Sequence, residues 1–349
     1  MIFEGPLDAL EKLNKERDTG YNHTYSESLI KDLNKTKLVL QKEINVILNS
    51  YENYNEVKEI IKRGLPKEGS YHRGSLVSIV ALEGKESEEV INRVSASSEL
   101  YYWGGSWQDD VADDNSFRQD AKSIRKITDD VTAMYVGNTV FGIVLKSISD
   151  SLQDQPEKLS KVMGYFSTDF HATHRGQVID MLLTKEKIVD VSIDRYNYLV
   201  KQTTGVDIGC QLAIGATLAE LSEDNVNNLY NFGVNLGTLA QIRDDVLDYC
   251  DIKMGGQYII GKDPFRDVES GKKRIPLLLT GDYNLKELSD DVYSKIEENM
   301  APFVSQANKS LKASTISSDA KDKLGNILSY WSDIEIFKVL NKNKDFFIK

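Results

Sequence analysis

Apolar residues along the chain return at intervals of three and four. Leu40, Ile44, Ile47 and Leu48 mark one such face, and Leu212, Ile214, Leu218 and Leu221 mark another inside a longer apolar segment. That period belongs to α-helices burying one stripe against a core. No proline falls between Pro66 and Pro156, or between Pro156 and Pro264. Long helices are therefore permitted across both stretches. No alternation of strand and helix periods is present to suggest a βαβ unit. The segment from Gly261 to Pro276, with Pro264, Gly271 and Pro276, predicts an irregular basic loop that interrupts the helices. From about Asp282 onward the chain is charged and helical in pattern. With no repeat, low-complexity tract or linker, the pattern predicts one all-α domain over residues 1–349.

Composition narrows the function classes. Of 349 residues, 40% are hydrophobic and 28% charged, as in a folded globular protein. The net charge of −11 argues against nucleic acid, whose phosphates need clustered Lys and Arg. An acidic protein can still bind an anion when metal ions stand between the two. The N-terminus lacks a basic stretch followed by an apolar run, and the longest apolar runs, such as Val140 to Leu145, are core-sized. A cytoplasmic protein without a transmembrane segment is expected. Cys210 and Cys250 are too few for a zinc site or a disulfide framework and read as buried small hydrophobes. The scattered His23, His171 and His174 read as surface or core residues.

Two acidic clusters carry the chemical signal. Asp109, Asp110 and Asp113 stand at i, i+1 and i+4, and Asp244, Asp245 and Asp248 repeat that spacing. On a helix these positions point about three carboxylates toward one spot, an arrangement that repels itself unless water or a cation occupies it. With 31 Asp in the chain, one D-D-x-x-D is expected by chance roughly a quarter of the time and two only at a few per cent. A solvated acidic face is the bland alternative for either cluster alone. Oxygen-only ligands point to Mg²⁺, which takes one or two carboxylates per ion and completes its shell with substrate phosphates. Arg118 follows the first cluster, and Lys262, Lys272, Lys273 and Arg274 follow the second in a loop that also holds Asp267. Metal and cations together suit a diphosphate leaving group, whose charge must be neutralised as it departs.

These residues resemble the trans-isoprenyl diphosphate synthases, or polyprenyl synthetases, and through them the class I terpene synthases. The resemblance runs from about Lys67 to Leu279 and is densest from Phe232 to Pro276, which reads FGVNLGTLAQIRDDVLDYCD and then GKDPFRDVESGKKRIP. Gln177 and Asp180 in RGQVID resemble the family's G-Q-x-x-D helix, and DDVADDNSFR, from Asp109 to Arg118, its first aspartate motif. It implies a single helical bundle around a deep central cavity, commonly homodimeric. By the same resemblance Asp109, Asp110, Asp113, Asp244 and Asp248 would hold Mg²⁺, three ions in all, with Asp245 a ligand or a residue supporting the ligands. Arg118, Lys262, Lys272, Gln241, Arg73 and Thr204 would contact the diphosphate.

Departures from the pattern shape the expected reaction. Family members that lengthen prenyl chains bind isopentenyl diphosphate through G-G-K-R-x-R-P. Here the segment is EGSYHRG, so Ser70 and Tyr71 replace two cations and Arg73 remains. Tyr102 stands where a His is expected, Gln119 where a second Arg is, and Thr203 where a Lys is, with Lys201 two residues away. Each lost charge-assisted hydrogen bond to a buried diphosphate costs on the order of 1.5–3 kcal/mol. The sequence therefore predicts an enzyme that ionises one allylic prenyl diphosphate and ends by cyclisation, deprotonation or water capture: a terpene synthase derived from this family. The alternative is a chain-elongating synthase or a prenyltransferase with another acceptor, with His72 or Lys67 as substitute contacts. A regulatory partner of an active synthase is a third reading, opposed by the intact second cluster.

Tyr102 and Trp103 are candidate cavity walls able to face a carbocation. Gly104 and Gly105 lie just before the first cluster and read either as a helix break or as an open cavity floor. The second reading predicts substrates of fifteen carbons or more, with twenty the expected length.

Overall fold

The computed structural model describes residues 5–21, 25–67, 69–118, 121–254, 257–260 and 264–347. Its helices run in the order α1 (Gly5–Glu16), α2 (Glu27–Tyr51), α3 (Asn55–Gly64), α4 (His72–Ala81) and α5 (Glu88–Ala112). Next come α6 (Ile124–Ile127), α7 (Asp130–Ser151), α8 (Pro156–Thr184), α9 (Ile193–Val200), α10 (Val206–Leu218) and α11 (Glu223–Leu247). The short α12 (Arg266–Glu269) and α13 (Ile275–Thr280) precede α14 (Asp290–Ala313), α15 (Ser318–Trp331) and α16 (Glu335–Lys342). Two small antiparallel pairs, β1 (Phe117–Arg118) with β2 (Ala121–Lys122) and β3 (Lys253–Met254) with β4 (Gln257–Tyr258), sit just beyond the two aspartate clusters. The all-α expectation holds.

Capping explains where the long helices begin. Ser87, Asp129 and Ser222 accept backbone N–H groups of Val90, Thr132 and Asn225 at the N-termini of α5, α7 and α11. Acidic residues follow each cap and complement the positive end of the helix dipole.

Helix α10 lies at the centre, with every one of its residues buried. Its apolar side chains are divided between two large core clusters, Leu212, Ala213 and Ala216 in one and Ile214 and Leu218 in the other. The single face read from Leu212 to Leu221 is thereby corrected: a helix surrounded by others needs no polar face, and Leu221 lies beyond its end. Helix α11 approaches α10 closely. A Cβ on Gly233 would lie 2.7 Å from Gly209 Cα, and one on Gly237 would lie 2.3 Å from Thr204 O. Glycine is needed here for backbone contact, which brings the second cluster to the cavity wall.

Helix α7 is long and apolar enough to cross a membrane by length and composition, which the apolar runs had not suggested. Half of its most apolar window is buried against the rest of the fold.

Candidate active site

The two clusters face one cavity of about 400 Å³. Helix α5 and its C-cap present Asp109 and Asp113, α11 presents Asp244, and the segment after α11 adds Asp267, Lys272 and Arg274. Only one or two carboxylates of each cluster look into the opening. Asp110, Asp245 and Asp248 are fully buried and are not among the lining residues. Three carboxylates converging on one spot, as helical spacing alone suggested, is therefore not the geometry found. Successive residues on a helix are turned by 100°, so in the first cluster Asp109 and Asp113 share the opening while Asp110 turns into the protein; in the second, Asp248 caps the helix end and is buried instead of facing the opening beside Asp244.

The turned-in aspartates hold the walls. Arg118, on β1, donates to Asp110 Oδ1 from Nε at 2.8 Å and to Asp109 Oδ2 from Nη2 at 3.1 Å. Burial pushes the Asp110 carboxyl upward, opposed by that guanidinium. Asp245 accepts from the Tyr196 hydroxyl at 2.7 Å and from Gln241 Nε2 at 3.0 Å; burial raises its pKa to about 7 against the pull of Arg274. Asp248 caps α11, and its carboxylate accepts from the backbone N–H of Asp267 at 3.3 Å.

Cations cross between the clusters. Lys272 Nζ lies 2.5 Å from Asp113 and 3.6 Å from both Asp180 and Asp267. Asp113 is raised to about 6, first by burial and then by Asp109, with Lys272 acting in the opposite direction. Arg274 donates from both Nη atoms to Asp180, at 2.8 and 2.9 Å, and from Nε to Asp267 at 3.3 Å. Lys273 turns away, donating to the carbonyls of Thr184 and Gly271.

On the opposite side, α9 passes through a π-helical turn, Lys201–Gly205, that brings Thr203 and Thr204 into the cavity. Thr204 donates to Gln241 Oε1 at 2.6 Å, so these two expected contacts are joined. Lys201 is exposed and does not line the cavity. His72 lines it, its ring edge-on to Trp331, whereas Lys67 is exposed and outside it. Arg73 lines it with its guanidinium stacked 3.8 Å over Tyr102. Tyr71 is buried with its hydroxyl on Pro66 O at 2.9 Å. Lys262 and Gln119 lie outside the described residues.

Of the wall candidates, Tyr102 and Gly105 line the cavity. Trp103 and Gly104 do not: Trp103 is fully buried in a core cluster, and a Cβ on Gly104 would meet Phe141 and Val140 at 3.1 Å and Gly137 O at 3.2 Å. Helix α5 runs unbroken through both glycines. His174, read as surface or core, lines the cavity with Nε2 3.2 Å from Gln108 Oε1. The sequence reading missed Asp169, Asp207 and Thr173, which share the cavity; an acidic residue inside the otherwise apolar run of α10 was the available signal for Asp207.

The polyprenyl synthetase family profile matches residues 54–308, and the chain belongs to that family. It is similar to a geranylgeranyl diphosphate synthase from Saccharolobus solfataricus, 25% identical over 62% of this chain and 62% of the relative. A geranylfarnesyl diphosphate synthase from Aeropyrum pernix is 28% identical over 58% of this chain and 62% of its own length. The matched stretch thus spans less than two thirds of either relative. Among solved structures, a Caulobacter crescentus polyprenyl synthase complexed with calcium and isoprenyl diphosphate has the same fold. Its TM-score is 0.73 at 16% identity, covering 90% of this chain and 99% of that one.

Proposed function

We propose that this chain is a prenyltransferase that ionises an allylic prenyl diphosphate and transfers the prenyl group to a second molecule. The carrying observation is Asp109 and Asp113, at the C-terminal end of α5, and Asp244 on α11 around one cavity that also holds Arg118, Lys272 and Arg274. The family and its named diphosphate synthases support transfer over the cyclisation that the sequence departures suggested. Elongation by isopentenyl diphosphate is the form those names favour.

Mg²⁺ fits the donor set, with three ions as the family resemblance implies. The cavity-facing acidic groups offer carboxylate oxygens alone, and among the described residues no group of three ligand side chains would hold an ion by itself. A hard ion completing its shell with substrate phosphate suits such a site. When bound, it stabilises negative charge on the departing diphosphate. Arg118 and Lys272, now paired with Asp109, Asp110 and Asp113, add donors for the same anion. Tyr102 and Phe141 line the same cavity and offer aromatic faces to an allylic cation.

A homodimer is proposed from the neighbouring α7 and α8, which expose Val131, Met134, Tyr135, Phe170, Met181 and Leu182. Sedimentation of the purified protein tests it.

Incubation with Mg²⁺ and geranyl, farnesyl or geranylgeranyl diphosphate, each with and without isopentenyl diphosphate, tests the function. Diphosphate release coupled to a prenylated second molecule is expected. Cyclic products from the prenyl substrate alone would return the terpene synthase reading, and absence of release with every substrate would remove both.

A further inference from the structure

Beside the second cluster the cavity wall turns apolar and aromatic. Leu247 lies three residues beyond Asp244 on α11, about 4.5 Å further along the helix, and both line the cavity. Ile259 and Ile260, just past β4, Pro6 on α1 and Trp331 on α15 continue the wall. Leu247, Ile259, Ile260 and Trp331 belong to one core cluster. Trp331 Nε1 donates to the Tyr25 hydroxyl at 3.2 Å, which fixes the indole. His72, at the N-terminus of α4, meets it edge to face, with centroids 5.2 Å apart and planes at 79°. Arg243, the residue before Asp244, stacks 4.3 Å from the ring of Tyr330, which places the end of α15 at the level of the aspartates. Pro6 and Trp331 both come from outside residues 54–308, the stretch that the family profile matches.

We propose that this wall is the acceptor subsite and that it takes an uncharged, electron-rich aromatic ring, an indole or a phenol, resting on the reading of the chain as a prenyltransferase. A second diphosphate would need cations here, and the two described arginines beside the wall are engaged. Arg243 lies between Tyr330 and Phe337, at 4.3 and 4.8 Å, and donates from Nε to Asp333 O at 3.2 Å. Arg73 donates to Asp207 Oδ2 from Nε at 3.0 Å and stacks on Tyr102. An aliphatic alkene would fit Leu247 and Ile260 but gain nothing from the rings, whereas an aromatic guest adds edge-to-face and stacking contacts with His72 and Trp331. Ser70, two residues before His72, also lines the cavity and offers a hydroxyl to the ring's N–H or O–H. In the transfer, the allylic C1–O bond breaks and its electron pair leaves with the diphosphate. A π pair of the ring forms the new C–C bond to C1, and the proton displaced from that ring carbon passes to an oxygen of the released diphosphate. The wall therefore needs no base of its own, and Asp244, the carboxylate beside it, is left to the metal.

The test uses the full chain with Mg²⁺ and farnesyl diphosphate in three arms. The first adds indole or phenol as free rings, the second N-acetyltryptophan amide or N-acetyltyrosine amide, which carry the same rings on a peptide unit, and the third isopentenyl diphosphate. Diphosphate release and prenyl products are measured separately. Expected is a C-prenylated ring in the first arm or the second, and the arm that reacts distinguishes a free arene from a peptide side chain. Trp331→Leu keeps an apolar side chain without the ring, and it should raise the KM for the arene about tenfold while the KM for farnesyl diphosphate moves less. Trp331→Phe should restore most of that loss. Should Trp331→Leu melt below wild type, His72→Leu repeats the comparison at the half-buried edge of the wall. Prenyl transfer to isopentenyl diphosphate alone, or a wild-type arene KM in folded Trp331→Leu or His72→Leu, overturns the subsite while leaving the prenyltransferase reading intact. No transfer to any added molecule overturns that reading and the subsite with it.

Discussion

Gln177 Nε2 on α8 donates to Oδ1 of Asp109 on α5 at 2.9 Å. One turn further along α8, Asp180 receives the paired hydrogen bonds of Arg274, from the loop after the second cluster. Helix α8 thus braces both sides of the site. The first consequence concerns the metal-facing carboxylates. Chelation should abolish diphosphate release, and Asp109→Ala or Asp244→Ala should each lower turnover about 10²-fold or more without unfolding the protein. Gln177→Ala, which frees Asp109 to rotate, should lose about tenfold. Full turnover in excess chelator would sink the metal-assisted reading.

Within the second cluster, neighbouring residues should behave differently. Asp244 lines the cavity, whereas Asp245 is fully buried among Tyr196, Gln241 and Arg274. Removing the Asp245 carboxylate strands buried polar partners, a change worth about 3–5 kcal/mol. Asp245→Ala should therefore melt several degrees below wild type and below Asp244→Ala, whose carboxylate is only half-buried. Calorimetry of the two variants compares them directly, and equal melting would place Asp245 in solvent.

The helical class, both aspartate clusters, RGQVID and the basic loop were legible because each depends on local spacing or composition. Which side chains face the opening was not. Asp109 and Asp110 are adjacent in sequence, yet one lines the cavity and the other is buried, since a helical rotation set by packing partners decides between them. Trp103 and Gly104 failed as cavity candidates for the same reason. The Arg73–Asp207 pair joins residues 134 positions apart and leaves no local trace. Asp169 was equally silent: Thr173 lies near it in sequence, but Gln211 and Asp207 come from α10.

Burial of Asp169 should appear in the stability profile. Its folded pKa is raised, first by burial and then by Asp207, so the folded chain keeps a proton that the unfolded chain releases. The stability from this group is full below the unfolded value near pH 4 and is lost as pH rises toward the folded one, by up to about 1.4 kcal/mol per pH unit. Asp169→Asn has no proton to lose and still offers Thr173 an acceptor oxygen. Its melting temperature should gain on wild type by a few degrees between pH 4 and 7. A difference that stays constant with pH would show Asp169 to be ionised throughout.

Substrate length separates the two glycines. Gly104 packs on Gly137, Val140 and Phe141, where even a methyl group is tight, so Gly104→Phe should unfold the α5–α7 contact and cost about 1–3 kcal/mol through overpacking. Gly105 faces the cavity, and a Cβ there would meet only Phe141 Cζ at 4.0 Å. Gly105→Ala should be silent and Gly105→Phe should shift use toward shorter prenyl diphosphates. The lower wall is Tyr101 and Phe141, whose rings lie 5.0 Å apart, which shifts control of depth away from the glycines. Each isoprene unit occupies about 5 Å, close to one helical turn. Opening that wall with Phe141→Ala should therefore favour substrates one unit longer. Competition among ten-, fifteen- and twenty-carbon diphosphates measures all three variants. If folded Phe141→Ala keeps the wild-type preference, the prenyl tail runs elsewhere in the cavity.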